Sequence, residues 1–237
     1  QRLARRLPEN QAAQLLLVGA EVQAGRFERA EQMIRAMPRQ GPAAILSPIM
    51  LAWVQQGRGQ TDQAIATLRP LAEGGRLRGI HALHLALIAD LAGRGREAER
   101  YARMALAESP EASVRLLQLT GGILIRAGQP AEAMRLMEAL GRSMSDMGMA
   151  ATTEAGRRAL LAGRGVASPA EGIAEAQLAL AAALRSQGAA EPAMILARLS
   201  LRLRPDFAPT LLLVAEHYAE QRLSLIHISE PTRQAEI

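Results

Sequence analysis

Apolar residues recur along most of this chain at the three- and four-residue spacing of helices, and glycine interrupts them at regular intervals. After each interruption a second helical stretch begins, with an alanine five residues beyond the glycine. The glycine and alanine pairs are Gly25 and Ala30, Gly59 and Ala64, Gly93 and Ala98, Gly128 and Ala133, and Gly188 and Ala193. Successive glycines are 34, 34, 35 and 60 residues apart, so the pattern predicts repeated helix pairs with one interruption.

Each repeated position has a physical role in a pair of packed helices. Glycine ends the first helix because it adopts positive φ at little cost. The alanine allows the second helix to pack closely on the first, where a larger side chain would hold the two backbones apart. Pro8, Pro110 and Pro205 each lie 17 residues beyond a turn glycine or its projected equivalent, where proline ends the second helix. These features predict an all-α chain.

This spacing resembles that of the tetratricopeptide-repeat family, over roughly residues 9–140 and 169–222. The third unit has the most motif positions, which are Leu85, Ala86, Gly93, Ala98, Ala105 and Pro110. The resemblance implies a helical-hairpin solenoid, a right-handed superhelix whose first helices line a concave groove that binds a peptide or a helix. The order of segments also resembles that of long tetratricopeptide-repeat proteins of alphaproteobacteria, whose role is generally unassigned.

The repeat register divides the chain into five parts. Residues 1–8 are expected to end a preceding repeat, 9–140 to form about four helix pairs, and 141–168 to form an irregular helix near 150–162 and a loop. Residues 169–222 are expected to form a further pair and the first helix of the next. The sequence around Gly59, QQGRGQT, departs from the other turns, and we expect this turn to differ in shape.

Residues 223–237, LSLIHISEPTRQAEI, depart from the helical pattern. The repeat calls for a small residue at 227 and helix through 231, where the chain has His227 and Pro231, and LIHIS alternates as strands do. The stretch also resembles a translated sequencing-library adapter. We therefore expect the repeat to stop at 222/223, the tail to be non-native, and the chain to be a fragment of a longer array.

Composition narrows the classes of function. Apolar residues make up 49% of the chain but aromatic residues only 2%, which favours close-packed helices of aliphatic residues and alanine. The absence of cysteine excludes disulfides and thiolate chemistry, and all 28 basic residues are arginine, as in a GC-rich bacterial genome. The net charge of +5 allows an acidic partner, but acidic residues are interleaved with the arginines, as on solvated helix faces. No apolar run is long enough for a membrane span.

No motif for a nucleophile, a phosphate loop or a dinucleotide site is present, so we predict no catalytic residue, no cofactor and no enzymatic activity. His81 and His84 share a helix face, and Asp90 could supply a third metal ligand. We favour histidines that are partly buried or line the groove, and predict no metal site.

In the motif frame, the groove positions predicted to bind a partner are Trp53, His84, Leu87, Arg115, Gln118 and Arg126. Trp53 is expected to anchor an apolar group, or alternatively to pack only between helices, and the two arginines are expected to bind an acidic group. The predicted function is a protein–protein interaction scaffold whose partner is another protein or peptide.

The alternative function is RNA binding, because helical repeats of about 35 residues can bind one base per repeat. Such binding needs polar side chains at recurring positions. Here the equivalent positions drift among Gly19, Trp53, Leu87, Gly122 and Ala182, which disfavours nucleic acid.

We predict that the purified chain self-associates, because terminal repeats without capping helices expose apolar faces that neighbouring repeats would cover. Light scattering should show a mass that rises with protein concentration. A sharp monomer peak at high concentration would contradict this prediction.

Overall fold

The structure is a computed structural model that describes residues 10–109, 112–143 and 153–229; side chains at 139–143, 157, 160 and 222–229 are not described. All regular secondary structure in these residues is helical. The helices are α1 (Gln11–Gln23), α2 (Phe27–Ala36), α3 (Gly41–Gly57), α4 (Thr61–Gly74), α5 (Arg78–Leu91), α6 (Gly95–Ala107), α7 (Val114–Arg126), α8 (Pro130–Ser143), α9 (Glu154–Leu161), α10 (Pro169–Ser186), α11 (Ala190–Leu203) and α12 (Ala208–Ser229).

Five pairs of consecutive helices form hairpins, which are α1–α2, α3–α4, α5–α6, α7–α8 and α10–α11. In the first three hairpins, each second helix also contacts the first helix of the next hairpin, since α2 contacts α3, α4 contacts α5 and α6 contacts α7. The first helices α1, α3, α5 and α7 also contact one another in that order. This arrangement is an all-α helical-repeat solenoid, as the glycine and alanine period predicts.

The turn glycines close the hairpins through backbone hydrogen bonds. Their φ angles lie between 70° and 85°, in the left-handed region that glycine adopts without steric cost. At the third turn, the Arg94 amide donates to the Ala89 carbonyl at 2.8 Å. At Gly59, the Gln60 amide donates to the Gln55 carbonyl at 2.9 Å in the same way. The expected difference in shape at Gly59 was therefore wrong, because the closure depends on glycine φ and not on neighbouring side chains.

The five alanines that follow these turns are buried, at no more than 1% exposure. The core around them is aliphatic, and one continuous cluster of buried residues extends from α1 to α12. A second cluster lies between α7, α8 and α9 and comprises Leu117, Leu124, Ala133, Met137 and Leu161. The helices pack closely at this site, since a Cβ on Gly121 would lie 2.7 Å from Cδ2 of Leu161, which would have to move.

The last helix is longer than the repeat pattern predicts. α12 continues to Ser229, through the turn projected at 222, so 223–229 is helical and not strand-like. The physical reason is that Leu223–Ser229 contains no residue that breaks a helix, and the next proline is Pro231. Isoleucine and histidine lower helix propensity only slightly. The expectation that the repeat stops at 222/223 stays a prediction. Residues 230–237, and Pro8 and Pro110 among the predicted helix ends, lie outside the described residues.

Large apolar side chains on the last two helices are exposed, namely Ile195, Leu211, Leu212 and Tyr218. These residues offer an apolar surface for the self-association predicted above. No described helix combines the length and the apolar character needed to cross a membrane.

Gly93→Ala should lower the free energy of unfolding by about 1 kcal/mol, because alanine is strained at the Gly93 φ of 73°. Gly95→Ala is the matched control, since Gly95 lies in α6 at negative φ and nothing lies within 4 Å of an added Cβ. We expect the control to change stability by less than about 0.5 kcal/mol, measured by urea denaturation. Equal losses in both variants would contradict the role of positive φ.

Candidate interaction groove

The face formed by the first helices, where the sequence predicts the groove, is covered by a helix of the same chain. α10 packs mainly against α3 and also contacts α1 and α5. α11 contacts α1, and the Gln23 side-chain amide of α1 donates to the Arg202 carbonyl of α11 at 3.0 Å. The fifth hairpin is thus folded back on the first three.

Trp53 lies at the centre of this contact. Its side chain is fully buried, and Gly172 of α10 lies directly against the indole ring. A Cβ added to Gly172 would be 2.1 Å from indole Cε2, a distance that no side chain can adopt without a shift of the helix. The Trp53 side chain therefore packs between helices, which is the alternative that the sequence analysis left open, and its neighbour on the groove side is α10.

His84 holds the indole in place from α5. Trp53 Nε1 donates to His84 Nδ1 at 3.1 Å, and the two rings meet edge to face at 89°. Burial, with a further contribution from nearby His81, lowers the pKa of His84 to about 3. Burial also lowers the pKa of His81. His84 is consequently neutral at physiological pH, as an acceptor at Nδ1 requires.

The other two predicted positions without charge differ in exposure. Leu87 is buried in the same core as Trp53, whereas Gln118 on α7 is half-buried. The structure thus buries Trp53, His84 and Leu87, with α10 directly on Trp53, and leaves Gln118 half-buried.

Arg115 on α7 binds a carboxylate, and this carboxylate belongs to α10. Its Nε and Nη2 donate to the two oxygens of Glu175 at 3.0 and 2.6 Å, a bidentate geometry. The Glu175 side chain is 3% exposed, so this arginine replaces most of the solvent around its carboxylate. The guanidinium also lies 5.2 Å from the centre of the Phe207 ring, as a cation–π contact.

Arg126, at the end of α7, also binds a carboxylate of its own chain. Its Nε and Nη2 donate to the two oxygens of Asp90 on α5, both at 2.9 Å. Its Nη1 donates to the Gly163 carbonyl at 2.7 Å, and Arg164 shares Asp90 at 3.3 Å. Asp90, the third residue considered as a metal ligand, is therefore engaged by two arginines. The described residues contain no group of three or more residues suited to hold a metal ion.

A separate, open groove lies between α7, α8 and α9. The groove has a volume of about 800 Å³ and combines apolar side chains with the arginines Arg126, Arg158 and Arg164. The apolar lining includes Ile125, Pro130, Met134 and Leu161.

Sequence reasoning missed the groove residues that α10 supplies. Gly172 and Glu175 lie on a helix that is itself typical of the repeat, and their partners are more than 50 residues away. One signal was present: Gly172 and Glu175 are three residues apart and so share a helix face. The repeat spacing does not indicate which helices this face of α10 contacts.

Residues 1–47 match the family model described as Tetratricopeptide repeat. The matched stretch includes the whole first hairpin, with the turn at Gly25 and the buried Ala30. This match and the all-helical hairpins fit a tetratricopeptide-repeat protein. No curated protein matches the chain. The resemblance to alphaproteobacterial proteins stays a prediction.

Acidification should destabilise the chain through its buried histidines. Unfolded His84 binds a proton near pH 6.5, whereas the buried ring does so only near pH 3, so stability is complete above about 6.5 and falls below it. Between pH 7 and pH 5 we expect the free energy of unfolding to fall by about 1–2 kcal/mol, measured by urea denaturation.

His84→Asn is the comparison variant, because its amide oxygen can accept the Trp53 hydrogen bond but does not titrate. Its stability should depend less on pH in the same interval. An equal pH dependence in both chains would show that His84 is not responsible.

Proposed function

We propose that this chain is a protein–protein interaction scaffold that binds a helix or peptide of another protein in the groove of its first helices. Tetratricopeptide repeats generally mediate protein–protein interaction, and the family is typically a non-enzymatic scaffold. Stacked helix pairs present an extended surface suited to this task. The identity of the partner is a separate question from the geometry of the groove.

The observation that carries the proposal is the docking of α10. The first helices hold a whole helix, with an aromatic residue beneath its backbone and an arginine at its edge. This is the mode in which a groove binds a helix from another protein, through apolar contacts at helical spacing and a charged contact that fixes the register. The groove is therefore compatible with a helical ligand in size and chemistry.

The predicted residues have distinct roles in this proposal. Trp53 and Leu87 provide apolar contact, with Trp53 oriented by His84, and Arg115 provides charge recognition of a carboxylate. Arg126 lines the open groove between α7, α8 and α9, and Gln118 is the half-buried predicted position on α7. The open groove gives a partner a first contact that requires no change in α10.

The equivalent repeat positions that would contact RNA bases do not support RNA binding. Gly19 faces Leu203, Trp53 faces Gly172, and Leu87 is buried, so these three positions form no row of accessible polar side chains. The described arginines of the groove are paired with carboxylates, which lowers their attraction for phosphate.

The proposal predicts that helical peptides selected for binding to the full chain will contact the groove. A photoreactive benzoylphenylalanine in place of Gln118 should cross-link such peptides, because position 118 is half-buried on α7 and is one of the predicted groove positions. The same residue in place of Arg96, an exposed position on the second helix α6, is the matched control. The measurement is the cross-linked fraction at each position by mass spectrometry.

Equal cross-linking from both positions would place the binding surface outside the groove and contradict the proposal. So would a failure to obtain any peptide ligand together with RNA binding that weakens steeply with salt, which would favour the alternative function.

A further inference from the structure

We infer that the groove selects a helix with glycine facing Trp53 and glutamate three residues later facing Arg115, and that α10 is the chain's own copy of this ligand. A partner helix would therefore bind by displacing α10. This inference rests on the proposed function and specifies both the chemistry of the partner and the control of its access.

The glycine requirement follows from the contact with Trp53. The α10 backbone lies so close to the indole that an added Cβ would be 2.1, 2.3 and 2.4 Å from three ring atoms. The indole cannot turn away freely, because His84 accepts its Nε1 hydrogen and the ring is fully buried. Any side chain at this point would push the helix off the face, so a ligand helix needs glycine there.

The glutamate requirement follows from the position of Arg115. Residues three apart lie on one face of a helix, so a helix with glycine on Trp53 presents its third following residue toward α7. Glu175 occupies this place with two hydrogen bonds and almost no solvent exposure. A ligand without an acidic residue there would leave Arg115, whose side chain is 24% exposed, without a carboxylate, which disfavours that ligand.

One residue of α10 is poorly matched to the site it occupies. Gln177 is 1% exposed, and its side-chain oxygen has no hydrogen-bond partner among the described residues. A buried polar atom without a partner opposes docking. A partner helix with methionine five residues after its glycine would avoid this cost and compete with α10 for the face.

Polar contacts also hold the loop that leads into α10. The Gly163 carbonyl accepts from Arg126, and the Gly165 carbonyl accepts from Arg115 at 3.4 Å and from Arg204 at 3.1 Å. Arg115 therefore holds both the loop and the helix. Loss of its carboxylate partner should release the two together.

The experiment uses the full chain and a fluorescein-labelled peptide with the sequence of residues 168–187. The chains are wild type, Glu175→Arg, and Glu191→Arg, which makes the same charge change at an exposed position at the start of α11. Trp53 is the sole tryptophan, so its emission reports directly on whether α10 covers it. Fluorescence anisotropy gives the affinity, and circular dichroism gives the helix content.

In the Glu175→Arg chain we expect a red-shifted Trp53 emission with helix content retained. This chain should bind the peptide at least about ten-fold more tightly than wild type or Glu191→Arg, because the face is no longer occupied. The bound peptide should restore the blue emission. Peptides with Gly172→Leu or Glu175→Arg should fail to bind, and a Gln177→Met peptide should bind more tightly than the parent.

Equal peptide affinity for all three chains would overturn the inference, since α10 would then not control access. Equal affinity of the Gly172→Leu, Glu175→Arg and parent peptides would overturn the inferred requirement for glycine and glutamate. Loss of helix content in the Glu175→Arg chain would also overturn it, because α10 would then be a fixed part of the fold.

These failures differ from failure of the proposed function. If only the inference is wrong, peptides selected on the full chain still cross-link from position 118 while Trp53 emission is unchanged. If the proposed function is wrong, neither those peptides nor the α10 peptide binds in the groove of any chain.

Discussion

The close approach of α10 to Trp53 is the constraint on which the rest of the structure depends. Only a glycine at position 172 lets the helix backbone rest on the indole, and this contact sets the depth at which the fifth hairpin docks on α3. With α10 in this place, α11 reaches α1, and a single core runs from the first helix to the last. An open stack of helix pairs is thereby converted into a compact unit.

One of the two buried ion pairs of the groove follows from this docking, because Arg115 binds Glu175 of α10, whereas Arg126 binds Asp90 of α5. Arg115 and Arg126 have the side-chain chemistry of a site that binds an acidic partner, and both bind acids of their own chain in bidentate geometry. Glu175 and Asp90 are nearly inaccessible to solvent, so each ion pair has lost hydration that the partner arginine must replace. Such buried ion pairs fix the alignment of the packed helices more than they raise the net stability of the fold. A face with the composition of a binding surface is here an internal interface.

The irregular stretch between the fourth and fifth hairpins makes the reversal feasible. α9 packs on α7 where Gly121 leaves room for Leu161, and the following loop carries Gly163 at a φ of 79°. Arginines from α7 hold the loop carbonyls, and Ser168 caps α10 by accepting the Glu171 amide hydrogen at 3.2 Å. The interruption of the repeat is thus the segment that directs the chain back across the first helices.

The sequence by itself determined where each helical hairpin lies, because the turn that joins its two helices depends on residues that are near one another in the chain. Gly93 and Ala98 act within one helix pair, and their spacing is visible as a period. It also determined the aliphatic character of the core and the set of side chains on the first-helix face. The tertiary structure alone decided what covers that face, since Trp53 and Gly172, or Arg115 and Glu175, are joined only when distant hairpins meet. The repeat period does not indicate which hairpins come into contact, because that contact depends on the combined geometry of four hairpins and one irregular connection.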